Sequence, residues 1–159
     1  MSATKPILFA TDGSPSAALA QEKAIELARL SGAQLVALAV AHPALPPVGY
    51  GGYGYSDVVA ELTKADHKRL EALLTEVAKA AEVAGVSCST VVADGFAVEE
   101  ICQRAIEYEA QLIVVGSHGW GAARRFFSGS VSTGLVHSAP CPVLVVRSPR
   151  HTVEHAVAA

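Results

Sequence analysis

Five short apolar runs punctuate this chain, and each is set off by sequence of helical or loop character. They are Ile7 to Ala10, Leu35 to Val40, Ser87 to Ala93, Gln111 to Gly116 and Pro142 to Arg147. Their apolar residues follow one another rather than alternating with polar ones. Such runs suit strands covered on both faces, as in a parallel sheet. Parallel neighbours need a crossover between them, so strand–helix alternation predicts an α/β fold with helices on both faces of one five-stranded parallel sheet.

The intervening segments carry helix punctuation. Ser14 reads as an N-cap with Pro15 at the first helical position, and Gly32 ends that helix. A long helix is expected from about Ser56 to Ala84, with Leu70, Leu73, Leu74, Val77 and Ala81 as its apolar stripe and Gly85 closing it. Val98, Ile101, Cys102, Ala105 and Ile106 form the expected buried stripe of a third helix. A fourth begins near Ser128-Gly129-Ser130 and stops before Pro140. No internal repeat is evident.

A length of 159 residues fits one domain, expected over 1–148 with a frayed tail over 149–159. The formal net charge is −3 and the pI about 6.0, so nothing points to nucleic acid. The N-terminal apolar stretch is short, broken at once by Thr11-Asp12-Gly13, and lacks signal-peptide shape. No run approaches the roughly 18 apolar residues that span a bilayer. Three widely spaced cysteines form neither a disulfide framework nor a zinc pattern, and a reducing cytoplasm is the expected compartment.

The segment after the fourth strand carries the functional signal. It reads Gly116-Ser-His118-Gly119, nine further residues, then Gly129-Ser130-Val131-Ser132. Gly116 and Gly119 are expected to let backbone approach a ligand closely or adopt positive φ. Gly129-Ser130 opens a helix whose first N–H groups lack intrahelical acceptors, and these donors together with the helix dipole attract phosphate. The Ser130 and Ser132 hydroxyls can add hydrogen bonds or meet a metal held by the phosphates. His118 is the one histidine in a functional position, although ordering the loop is role enough for it.

Gly116, Gly119, Gly129 and Ser130 match the nucleotide-binding motif of the ATP-binding universal stress proteins, and the chain resembles that family over about residues 4–148. Ser130 to Arg147 looks like the family's C-terminal signature, and Ile7 to Ser14 like its first strand and turn. The resemblance implies strand order 3-2-1-4-5, an adenine nucleotide alpha hydrolase-like fold, with ligand at the strand C-termini between the first and fourth strands. It implies ATP, with Mg2+ or Mn2+ held mainly by the phosphates. Ala10, Thr11 and Asp12 would border the ribose or adenine, and Val40 would meet adenine through its backbone. Val115, Gly116 and Gly119 would line the ribose and phosphate path, and Gly129, Ser130 and Val131 would hold phosphates. It also implies a homodimer through the last strand, Val143 to Val146, whose edge invites pairing. One departure is Arg124-Arg125-Phe126-Phe127, where the family often has aliphatic residues. Arg125 could pair with the terminal phosphate or stand as a solvated surface residue.

Other matches carry less. Gly49-Tyr-Gly51-Gly-Tyr-Gly54 fits a dinucleotide string, but Pro43, Pro46 and Pro47 separate it from the second strand and it reads as a loop. His151-Thr-Val-Glu-His155 fits a zinc-protease string but lies in the tail. Cys88 and Cys102 read as small buried hydrophobes, and Cys141 has no activating neighbour in sequence.

Three functions compete: a nucleotide-dependent stress-response or signalling dimer, an enzyme turning over ATP, and an interaction module without nucleotide. Related ATP enzymes that release pyrophosphate carry Ser-Gly-Gly-x-Asp-Ser after strand one, whereas this chain has Thr11-Asp12-Gly13-Ser14-Pro15. With no evident general base or Walker lysine, any hydrolysis or autophosphorylation is expected well below the roughly 10 per second of a median enzyme. The intact glycines disfavour the module.

Overall fold

The structure is a computed structural model and describes residues 4–43, 55–118 and 130–147. The expected Gly49–Gly54 loop, Gly119, Arg125, Gly129 and the tail over 149–159 fall outside the described residues.

The elements follow the expected alternation: β1 (Ile7–Ala10), α1 (Pro15–Ser31), β2 (Leu35–Ala41), α2 (Tyr55–Val83), β3 (Cys88–Asp94), α3 (Ala97–Glu107), β4 (Leu112–Gly116), α4 (Ser130–Ser138) and β5 (Val143–Val146). The five strands form one sheet in the order β3-β2-β1-β4-β5, and every pairing is parallel. The central strand β1 sets Ile7 beside both Leu35 and Leu112. Several boundaries differ from the sequence reading by one residue, as at β3, which runs one residue later at each end.

Side-chain alternation along the strands divides the core into two halves. Ile7, Phe9, Leu35, Ala37 and Ala39 face α1 and α2. Leu8, Val36, Leu38, Ile113 and Val115 face α3 and α4. Each side of the sheet therefore has its own apolar layer, which is why the strands read as continuous apolar runs.

Helix α1 approaches the sheet through small residues. Ala17, Ala20, Ala24 and Ala28 are buried at helical spacing. The Ser14 side chain accepts from the Ala17 N–H at 3.3 Å, and Pro15 takes the first helical position. At the far end Gly32 is left-handed at φ 66°, and the Ala33 N–H reaches back to the Ala28 carbonyl at 3.0 Å. Gly85 ends α2 in the same manner at φ 75°, with the Val86 N–H on the Ala81 carbonyl.

The α2 stripe lies where expected: Leu70, Leu74, Val77 and Ala81 are buried and Leu73 partly so. The first described turns of α2 are largely exposed, Val58 and Leu62 included. The imidazole of His67 ties the helix to the end of β3, its Nε2 2.5 Å from Asp94 Oδ1.

The α3 stripe needs one correction. Ile101 and Ala105 are buried and Val98 and Cys102 pack against the same layer, but Ile106 is 60% exposed. Ile106 lies one residue, about 100° of helical turn, beyond Ala105 and so points off the sheet. The helix stops at Glu107, and Glu109 takes the left-handed conformation at φ 52°. The Ala110 N–H then closes onto the Ala105 carbonyl at 2.9 Å.

Candidate functional site

At the C-terminal edge of the sheet the strands hand over to loops, and most of the sequence-picked residues collect there. Ala10 ends β1, and the Thr11 N–H continues its pairing onto the Leu38 carbonyl at 2.9 Å. Asp12 Oδ1 accepts the Ser14 N–H at 2.9 Å, and Thr11 Oγ1 accepts the Gly13 N–H at 3.1 Å. With Gly13 at φ 80°, these bonds shape a tight turn directly before α1. Val40, one residue from the end of β2, is partly buried, and Val115 is buried within β4. Gly116 ends β4, beside β1 in the sheet.

The connection from β4 is bound to the start of α1. The His118 carbonyl accepts from Ser14 Oγ at 3.1 Å and also from Ser16 Oγ. The His118 N–H donates back to Ser16 Oγ at 3.2 Å. Ser117 donates its N–H to the Val146 carbonyl at 2.9 Å, while its hydroxyl lies 2.8 Å from His118 Nδ1. Ser14, Ser16 and Ser117 are all buried. This serine cluster was not among the sequence-picked residues, apart from Ser14 as a cap. The signal available was a Ser-Pro-Ser string after a turn, which predicts helix capping but not a partner about a hundred residues away.

At Gly116 the positive-φ alternative does not hold: among the described residues Gly13, Gly32, Gly85 and Gly95 are the positive-φ glycines. A Cβ built on Gly116 would lie 2.6 Å from Ser16 Oγ and 2.8 Å from the Ala17 backbone nitrogen. The missing side chain thus lets β4 pass close to α1. Gly134, which sequence reasoning passed over, does the same between α3 and α4, where a Cβ would stand 2.8 Å from Val98 Cγ2.

Helices α1 and α4 both open at this edge. The first turn of α1 is engaged by the Ser14 cap, and its serines hold the β4 connection. Helix α4 opens at Ser130, with Val131 partly buried, Ser132 buried and no acidic residue in its first turn. The positive end of the α4 dipole therefore lies at this edge, where it favours an anion. No group of three or more metal-ligating side chains occurs among the described residues.

Comparison with known proteins decides the family. The universal stress protein family pattern matches residues 3–147. The chain belongs to the universal stress protein family. A universal stress protein of Thermus aquaticus is 38% identical over 144 residues, covering 90% of this chain and 98% of the relative. One from Methanocaldococcus jannaschii is 34% identical over 146 residues, covering 92% and 84%. Among solved structures, UspA of Lactobacillus plantarum superposes with TM-score 0.81 at 26% identity, covering 92% of this chain and all of that one. A universal stress protein crystallised in complex with cAMP superposes with TM-score 0.65 at 25% identity, covering 92% of this chain and 98% of that one. The strand order agrees with that expected from the family resemblance. No helix among the described residues is long and apolar enough to cross a membrane.

Proposed function

We propose that this protein binds ATP in the crevice between β1 and β4 and acts as a nucleotide-dependent stress-response or signalling protein in the cytoplasm, as a homodimer. The carrying observation is the arrangement at the sheet's C-terminal edge. The start of α1 is engaged by the β4 connection, while α4 opens at the same edge on the other side of the sheet, with no acidic residue in its first turn. A cAMP complex in a structural neighbour supports an adenine nucleotide as the ligand class.

In this reading Asp12, with Ala10 and Thr11 before it, borders the ribose or adenine, and the Val40 backbone meets adenine. Val115, Gly116, His118 and Gly119 form the floor of the phosphate path. Gly129, Ser130, Val131 and Ser132 hold the phosphates, and Arg125 pairs with the terminal one. ATP supplies the anionic tail and brings Mg2+ or Mn2+ with it. The chain supplies oriented N–H and hydroxyl groups, which bind and position without activating water, so hydrolysis is slow. The nucleotide-binding domain spans 1–148, with 149–159 as its tail. Partners are the nucleotide and a second copy through Val143 to Val146, with no nucleic acid or membrane.

Calorimetric titration with ATP and Mg2+ tests this reading. Wild type should bind, and Gly129→Val should weaken binding at least about tenfold, because each charge-assisted hydrogen bond lost is worth roughly 1.5–3 kcal/mol. Gly116→Val is a poor probe, since its side chain would collide with α1 whatever the ligand does. Equal binding by wild type and Gly129→Val would reject the assigned phosphate end.

A further inference from the structure

Cys102 and Cys141, far apart in the chain, come together on the α3–α4 side of the sheet. Both pack against the same apolar layer, and both are free and half-buried. Cys102 projects from the middle of α3 toward the end of α4, where its Sγ lies 3.6 Å from the Ser138 carbonyl. Cys141 follows three residues later, between Pro140 and Pro142, and both prolines restrict the backbone that carries it. Just beyond it, the Pro142 carbonyl accepts the Ile113 N–H at 2.9 Å, which anchors that backbone to β4. Cys88 lies apart from the pair: it packs on the opposite side of the sheet, against the α1–α2 layer.

We propose that Cys102 and Cys141 form an oxidisable pair that closes into an intramolecular disulfide, tying α3 to the α4–β5 connection, when the protein meets a peroxide. One thiolate attacks a peroxide oxygen; the O–O bond breaks, leaving a sulfenic acid and releasing water or an alcohol. The second thiolate attacks that sulfur; the S–O bond breaks, the S–S bond forms and water leaves. The two sulfurs together give up two electrons, and the peroxide takes them.

The surroundings set the pace. Burial pushes both thiols up from their ordinary pKa; the Glu99 carboxylate adds to this at Cys102, and the Cys102 sulfur adds to it at Cys141. A small thiolate fraction makes the reaction slow, so the pair responds to sustained peroxide rather than to traces.

The test is peroxide treatment of the folded full-length protein, then alkylation and cleavage after glutamates without reduction. That cleavage places Cys88 within 83–99 and Cys102 within 101–107, so the two are separable. The expected product is monomeric by mass, about 2 Da lighter because two thiol hydrogens are lost. It retains one alkylated thiol, Cys88, and carries the 101–107 peptide joined to the peptide containing Cys141. Cys102→Ser should abolish the cross-link and leave Cys88 reactivity unchanged. Separate sulfinic or sulfonic acids without a cross-link, a link involving Cys88, or a link between two chains would each overturn the proposal. The wild-type peptide map decides the matter even if a variant folds poorly.

Discussion

At the scale of single residues, Gly116 and Glu109 are the two backbone positions whose substitution is most informative. A valine at 116 would press its Cβ to within 2.8 Å of the α1 backbone, and backbone cannot swing aside as a flexible side chain can. Gly116→Val should destabilise the fold by about 1–3 kcal/mol, the usual range for overpacking, read as a lower urea midpoint at unchanged slope. Glu109 shows the opposite case. It holds a left-handed conformation that costs a non-glycine residue roughly 1–2 kcal/mol, partly offset by the chain entropy a glycine would lose. Glu109→Gly should therefore stabilise by up to about 1 kcal/mol, a rise of roughly 2–4 °C in Tm. Ser14 caps the Ala17 N–H and donates to the His118 carbonyl, so Ser14→Ala should cost about 1–2 kcal/mol by chemical denaturation. At this scale the sequence marked Gly116 as special, but of its two alternatives the positive φ does not hold, and the close contact with α1 was not foreseen. A glycine's composition does not say whether its empty side faces a ligand or a neighbouring helix. That distinction lies in the contact with Ser16 and Ala17, about a hundred residues away.

At the scale of elements, local chemistry carried most of the reading. Pro15, Gly32 and Gly85 mark helix ends because each acts on its own backbone, and the structure agrees with all three. The α3 stripe was drawn too wide at Ile106, which turns off the sheet although Tyr108 and Ala110 beyond it pack on the same layer. Helix α2 is unequal along its length. Its buried stripe begins at Leu70, while the described residues before His67 are largely solvent-facing. Amides of residues 58–65 should exchange with deuterium faster than those of 70–83, since exposed turns open locally without breaking the core. The edge strand β5 also has two unlike sides. The carbonyls of Pro142 and Val146 accept from Ile113 and Ser117, so Leu144 shares their orientation toward β4. Val143 and Val145 accordingly turn their backbone polar groups outward, toward whatever pairs with this edge. Val145→Pro removes one outward donor and leaves the β4 ladder intact. In sedimentation velocity it should shift the proposed dimer toward monomer, and a wild type monomeric at micromolar concentration would contradict the dimer itself.

At the scale of the whole molecule, the alternation of strand and helix and the parallel sheet were legible from apolar runs alone. The order β3-β2-β1-β4-β5 was not, because local periodicity does not say on which side of β1 the fourth strand inserts; family resemblance supplied it, and the structure shows it. That insertion brings the ends of β1 and β4 side by side and opens α1 and α4 at one edge. The proposed site is thus a product of topology, and its residues come from four separate stretches of chain. The most direct test of the proposed site is an NMR titration of the labelled protein with ATP and Mg2+, following backbone amides. The account predicts the largest shifts at Thr11 to Gly13, Val40 and Ala41, Gly116 to His118, and Ser130 to Ser132, saturating together as one site. Shifts absent throughout, or gathered at the N-terminal edge of the sheet, would contradict it.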